Sequence, residues 1–159
     1  MNTPWLYRLF DRLEQTAVGT AIRESIWLFP AIETVHLLAL ALLGGSVLML
    51  DLRLLGLGVE VPSPATLVRQ IRPWFVAALA LLVATGALLF LSEALKLHDK
   101  QAFWVKMIAL GAALAYTLLV RDPWLQREAA VTTAGRAVAA GSLALWSTVA
   151  ISGRWIGFS

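Results

Sequence analysis

The sequence predicts an all-α integral membrane protein, a four-helix bundle with an N-terminal amphipathic interfacial helix. The chain has 159 residues, of which 59% are hydrophobic and 14% are charged, and its mean hydropathy is +0.75. This composition is too apolar for an ordinary soluble domain. Four apolar segments also approach or exceed the roughly 20 residues that a helix needs to cross a bilayer.

We expect two parts in the chain. Residues 1–24 carry apolar side chains on one side of a helix and charged ones on the other, which predicts an amphipathic helix in the membrane interface. Packing of this helix on a soluble partner or on the end of the bundle is the alternative. Residues 25–159 form the membrane domain, with spans at about residues 26–50, 74–93, 102–120 and 137–155.

The connections between the spans are short, which predicts antiparallel neighbours in chain order. Ser63 and Pro64 suit the start of a short surface helix before the second span, and Asp122 with Pro123 predicts the end of the third. Small residues four apart predict close helix contacts. Such pairs are Ala41 with Gly45, Gly111 with Ala115, and Ala137 with Gly141.

Composition and motifs exclude several kinds of chemistry. The chain has no cysteine, so disulfides, thiolate metal sites and iron-sulfur clusters are excluded. Its net charge of +3 is scattered without a basic block, so we expect no nucleic-acid partner. Hydrolytic catalysis is the least supported activity, because the sequence contains no His-Glu-x-x-His helix, P-loop or dinucleotide-binding glycine pattern.

The first span carries the main candidate site, formed by Glu33 and His36. Ionisable residues inside a membrane span are costly and therefore indicate function. At about 100° per residue, both fall on one stripe with Leu40, Gly44 and Asp51, which we expect to face the interior. Glu33 is then one turn shallower than His36 and can reach its imidazole. The alternative is a structural hydrogen bond that fixes helix packing.

Antiparallel spans place more polar residues in the half of the bundle that holds His36. We include five of them as candidate ligand-binding or cofactor-binding residues, although solvated helix-end residues are the alternative. At the other end, Asp51 and Arg121 are expected to be ordinary end charges. The five candidates are Glu93, His98, Lys106, Met107 and Arg154.

The segment Ser25–Leu57 has an aromatic-rich start, a carboxylate and a histidine three apart, glycines in the middle and an Asp-Leu-Arg end. With Phe103–Met107 and Ser152–Ile156, it resembles an uncharacterised family of bacterial inner-membrane proteins of unknown function. The chain departs from that pattern at Leu118–Trp124, where a histidine is expected. A looser similarity is to copper-resistance and cytochrome b561-like membrane bundles.

The resemblance implies that the protein lies in the inner membrane. Basic loops after the first and third spans, as in that family, imply an N-terminus in the periplasm. Counts of Lys and Arg at the two ends are nearly equal, and they favour the same orientation once Arg8 and Arg12 of the amphipathic helix are discounted.

Three functions are compatible with these residues. The first is binding of haem b, with His36 as a metal ligand and His98, Met107 or Met49 as the second, or of a quinone or another small lipophilic ligand. The second is proton-coupled transport through Glu33 and His36. The third is an accessory or scaffold role in a larger membrane complex, with other subunits or a second copy as partners besides the lipid bilayer.

Overall fold

The computed structural model describes residues 4–57, 64–127 and 132–158, which are almost entirely helical and contain no strand. Four helical segments are long and apolar enough to cross a membrane. These findings confirm the all-α class and the number of span-length helices. The four segments are Leu28–Leu55, Thr66–Ser92, Gln101–Arg127 and Thr133–Ile156.

The long helices pack around one apolar centre. We number the helices in chain order: α1 (Pro4–Glu14), α2 (Ala17–Glu24), α3 (Leu28–Leu55), α4 (Pro64–Ser92), α5 (Ala94–His98), α6 (Gln101–Tyr116), α7 (Asp122–Arg127) and α8 (Thr133–Ile156). Helix α3 packs against α4 and α8, and α6 packs against α8. Their shared core consists of Leu43, Val47, Phe75, Ala78, Ala109, Ala113, Trp146 and Val149.

Helix α3 is longer than the predicted first span. Pro30 lies in its first turn, where a missing N–H leaves no helical hydrogen bond unmade. The helix ends at Gly56, whose φ of 80° is in the left-handed region that glycine adopts without strain. The N–H of Leu57 donates to the Leu52 carbonyl at 3.0 Å and closes the last turn.

Helix α4 begins well before the predicted second span and contains Pro73 in its interior. The separate surface helix expected before residue 74 is therefore wrong, because that segment is the first part of α4; its expected cap, Ser63, lies outside the described residues. The reason is packing, since Leu67, Val68 and Ile71 are buried against the end of α3 and against α7. An apolar face that starts this early favours continuous helix over a turn.

Asp122 and Pro123 do not end the third span, contrary to the prediction. Residues Thr117–Arg121 form a π-helical segment that joins α6 to α7, and the N–H of Asp122 donates to the carbonyl of Thr117, five residues back. Proline has no N–H to donate, and its ring crowds the carbonyl four residues earlier. A wider turn before Pro123 accommodates both effects, so the helix continues to Arg127.

Of the three predicted small-residue contacts, the Gly141 pair alone places a glycine against another helix. A Cβ at Gly141 would lie 2.7 Å from the Tyr116 hydroxyl, which donates to the Val138 carbonyl at 3.1 Å. By contrast, nothing lies within 4 Å of a Cβ built at Gly45 or Gly111. Those two glycines lie on the outer surface of the bundle.

The N-terminal region contains two helices, where one was predicted, and both dock at the α4–α5 junction. The Glu14 carboxylate accepts a hydrogen bond from the N–H of Leu95 at 2.6 Å. Arg23 donates to the Ser92 carbonyl at 3.2 Å and forms a salt bridge with Glu14 at 3.5 Å. These contacts join α1 and α2 to the end of the bundle that holds His36.

The apolar side of α1 is divided between two environments. Phe10 is buried against the bundle, as the alternative interpretation expected, whereas Trp5 and Leu9 are exposed beside Arg8 and Arg12. Contact of this outer side with a membrane interface stays a prediction.

We expect Gly19→Ala to loosen the N-terminal helices. A Cβ at Gly19 would meet the backbone carbonyl oxygen of Leu91 and lie 2.9 Å from that of Glu14, and backbone atoms have little freedom to move aside. Overpacking of this kind costs about 1 to 3 kcal/mol. Trypsin cleavage after Arg23, in detergent and under conditions where local opening limits the rate, should therefore accelerate about tenfold or more.

Gly111→Ala is the matched control, because its added methyl group meets open space. Equal cleavage rates for the two variants would contradict the packing at Gly19.

Candidate functional site

His36 lies on the inward side of α3 and forms a hydrogen bond to α4. Its Nδ1 is 2.8 Å from the Thr85 hydroxyl oxygen, and that hydroxyl donates to the Leu81 carbonyl at 2.7 Å. Since the hydroxyl hydrogen is used on Leu81, Nδ1 must carry the hydrogen between His36 and Thr85. In a neutral imidazole this assignment leaves Nε2 with a free lone pair.

Gly86, the residue after Thr85, allows this close approach. A Cβ at position 86 would lie 3.3 Å from Cε1 of His36, a tighter contact than ordinary van der Waals packing. The imidazole therefore rests against α4 with its side chain only half-buried. No hydrogen bond to Nε2 occurs within residues 4–57, 64–127 and 132–158, so that atom is free to bind.

Lys106 enters the same half of the bundle from α6. Its ammonium lies within electrostatic range of the His36 ring. The side chain passes Gly153 of α8, where a Cβ would lie 3.5 Å from Nζ. Among the described residues it forms no hydrogen bond or salt bridge. A half-buried ammonium without a partner is costly inside a span-length helix, so a hydrogen-bond acceptor beside Lys106 would be stabilising.

The expected hydrogen bond between Glu33 and His36 is absent. Glu33 is exposed, and the imidazole Nδ1 faces Thr85. Residues three apart on a helix diverge by about 60°, which is enough to place one side chain at the α4 contact and the other outside it. The structure therefore places His36 against Thr85 and Gly86, with Lys106 within electrostatic range.

Three other candidates have separate surroundings. Glu93 pairs with Lys96 at 2.9 Å near the helix end. The Arg154 guanidinium lies 4.4 Å from the centre of the Phe158 ring, and Met107 is 39% exposed on the outer surface. No hydrogen bond or ion pair connects any of them to His36 in the described part of the chain.

His98 is buried, which contradicts the alternative that it is a solvated loop histidine. Its Nδ1 lies 2.8 Å from a carboxylate oxygen of Asp99. Its ring makes edge-to-face contacts with Phe10 and Tyr7 of α1, at centroid distances of 5.2 and 6.0 Å. Trp104 donates to its backbone carbonyl at 3.0 Å. His98 is therefore part of an aromatic cluster under α1 and does not join His36.

A groove of about 680 Å³ runs beside the site, between the start of α6 and the end of α8. Ser152 and Trp155 line it on one side and Lys100 on the other, whereas His36 and Lys106 do not line it. Within the described residues, no group of three or more His, Asp or Glu side chains is arranged to hold a metal ion.

The comparisons with known proteins place the chain in a family without assigning a function. A family match covers residues 25–159 and so includes all four span-length helices. The chain belongs to the DUF6644 family of unknown function. No curated protein and no solved structure matches it. The DUF6644 match contains His36, Thr85 and Lys106, and the function has to be argued from their geometry.

The DUF6644 domain also contains a polar centre that the sequence reasoning missed. Asp51, Arg121 and Ser142 are each at most 1% exposed, in the half of the bundle opposite His36. Asp51 and Arg121 were expected to be ordinary end charges, and Ser142 was not among the candidates. Two signals point to them: Asp51 falls on the inward stripe of α3, and Pro123 imposes the wider turn that ends at Arg121.

We expect Thr85→Val to release the His36 imidazole from its fixed orientation. The valine has nearly the same shape but no acceptor for the Nδ1 hydrogen, so the preference for the Nδ1–H tautomer should fall. ¹⁵N chemical shifts of labelled histidine in the detergent-solubilised protein report this tautomer directly.

Thr148→Val is the control, because that hydroxyl donates only to the carbonyl four residues back, in the same way as Thr85, and contacts no histidine. An unchanged His36 spectrum in Thr85→Val would contradict the hydrogen bond.

Proposed function

We propose that this DUF6644 protein is a membrane-embedded module that binds a small lipophilic ligand with a hydrogen-bonding head group, of the quinone class. The supporting observation is the pairing of a free Nε2 on His36 with the unpartnered ammonium of Lys106. The first group accepts a hydrogen bond and the second donates one. Both side chains are only half-buried, so a ligand in the hydrocarbon phase has access to them.

The two protein groups match the two states of a quinone. An ammonium donates to the carbonyl oxygen of the oxidised form, and an imidazole lone pair accepts from the hydroxyl of the reduced form. Hydrogen bonds of this kind are favoured at a site with little water, because polar groups there have few other partners. The head group would therefore lie between α3 and α6, with its tail in the lipid.

Haem is less well supported than a quinone by the same geometry. A histidine whose Nδ1–H is held by a second residue is a suitable axial ligand through Nε2. The expected second ligands have other surroundings, however: His98 lies under α1, and Met49 and Met107 are 56% and 39% exposed. A haem with two protein ligands would need a residue beyond these three.

An accessory role is the second candidate, supported by the outer side of α3. Nothing lies within 4 Å of a Cβ built at Gly44 or Gly45, and both residues are exposed. Small residues let another membrane helix approach closely, from a partner subunit or from a second copy. If no quinone binds, the accessory role becomes the better-supported function.

We expect a photoreactive short-tailed benzoquinone to label the chain at or near His36 and Lys106. Lys106→Met should reduce labelling at least tenfold, because loss of a charged hydrogen bond costs about 1.5 to 3 kcal/mol. His36→Gln should reduce it in the same direction. The labelled peptides are identified by mass spectrometry after irradiation in nanodiscs.

Lys96→Met is the matched control, since it removes a lysine that is exposed and already paired with Glu93. Equal labelling in all variants, or labelling spread over the outer surface, would exclude this site. An absorption spectrum of the purified protein, oxidised and then reduced with dithionite, distinguishes a haem from a quinone as the ligand. A Soret band that is lost in His36→Ala would show that the ligand is haem and would contradict the quinone proposal.

We also propose that the protein resides in a bacterial inner membrane with both ends in the periplasm. The support is the resemblance described above and the even number of span-length helices. A C-terminal alkaline phosphatase fusion should then be active and a C-terminal GFP fusion dark. The same reporters placed after Leu57 should give the reverse pattern, and the opposite result at both positions would invert the orientation.

A further inference from the structure

The strongest feature outside the His36 site is the buried polar centre between α3, the π-helical segment and α8. Asp51 and Ser142 are fully buried, and Arg121 is 1% exposed. Both carboxylate oxygens of Asp51, Nη1 of Arg121 and the Ser142 hydroxyl oxygen lack a hydrogen bond within the described residues. Buried polar atoms almost always have partners, so a group of four without one needs an explanation.

The charges in this centre do not balance. Arg121 donates through Nε and Nη2 to one oxygen of Asp122, at 3.1 and 3.0 Å. Its Nη1 is 3.8 Å from an oxygen of Asp51, too far for a hydrogen bond. One guanidinium therefore lies beside two carboxylates and forms hydrogen bonds with Asp122 alone. If both carboxylates were ionised, Asp51 would be the negative charge in excess.

Among the described residues, the charged side chains that act on Asp51 are those of Arg121 and Asp122. On α3 itself, Arg53 also has a buried Nε without a hydrogen bond. Tyr116 of α6 lies within electrostatic range, but its hydroxyl donates to the Val138 carbonyl. The neutral hydroxyl of Ser142 on α8 lies beside the Asp51 carboxyl group, close enough to interact with it but without the geometry of a hydrogen bond. The α4 residues packed here, Leu67, Val68 and Ile71, are apolar. A carboxylate that accepts no hydrogen bond in such surroundings is unfavourable, even with a guanidinium at 3.8 Å, and protonation removes that cost.

We propose that Asp51 is a proton-binding site, and that the folded protein holds it as a neutral carboxylic acid. The carboxylate takes a proton from hydronium, which leaves water, and returns it in the reverse reaction. The new O–H provides a donor for the Ser142 oxygen, while the other carboxyl oxygen accepts from Nη1 of Arg121 after a small adjustment. All four unpartnered atoms then have a hydrogen bond. This site is independent of ligand binding at His36.

Infrared spectroscopy of the full-length protein in nanodiscs tests the proposal directly. A protonated carboxyl group gives a carbonyl band well separated from those of carboxylates and amides. We expect this band at neutral pH, a small downshift after transfer to D₂O, and its complete loss in Asp51→Asn. Asp122→Asn is the matched control, because that carboxylate accepts two hydrogen bonds from Arg121 and is already partnered, so the band should remain.

Ser142→Ala provides a second variant that retains Asp51. It removes the proposed acceptor, so the band should move to higher frequency, and this assignment holds even if Asp51→Asn fails to fold. No protonated-carboxyl band in the unmodified protein would overturn the proposal. A band that persists in folded Asp51→Asn, or one that does not move in Ser142→Ala, would overturn it as well.

Discussion

The architecture depends on helix α3 keeping one side inward along its whole length. It packs against α4 and α8, and its inward positions run from His36 through Leu43 and Val47 to Asp51. Because His36 and Asp51 stand near the two ends of this side, the polar partners that the neighbouring helices supply have to follow the same order. Thr85 and Lys106 match it at one end, and Arg121 and Ser142 at the other.

Two local features allow the polar side chains of neighbouring helices to meet those of α3. Glycines at 86 and 153 let the His36 and Lys106 side chains lie against neighbouring helices without backbone movement. The π-helical turn at Thr117–Arg121 shifts the register of the third span by one residue before Pro123. It also buries Thr117, which accepts a hydrogen bond from the indole of Trp146 at 3.1 Å, so the turn is fixed to α8.

The sequence was sufficient for the parts of the fold that hydropathy controls. Four span-length helices followed from the apolar runs. The cost of an ionisable group inside one of them is what made His36 a candidate. The partner of His36 was not predictable, because Thr85 is one of several threonines, and an intrahelical bond usually satisfies its hydroxyl. Helix ends were misjudged where tertiary packing overrides proline: Pro73 lies inside α4, and Pro123 is preceded by a π turn.

Asp51 and Arg121 show a second limit of prediction from the sequence, which concerns burial. A charge near the end of a predicted span is ordinarily solvated, and only the extension of α3 and of the third span brings these two into the interior. Both helices had to be longer than their apolar runs for that burial to occur. His36 lies well inside its apolar run. Errors in the predicted helix ends therefore did not change its predicted position within the span.

An apolar core separates the two polar centres of the bundle. His36 and Asp51 are separated by about 22 Å along α3, at about 1.5 Å per residue. The side chains packed between them, among them Leu43, Phe75 and Trp146, are apolar. Among the residues that the structure describes, no hydrogen bond therefore joins the two centres, and a change at one of them leaves the hydrogen bonds of the other intact.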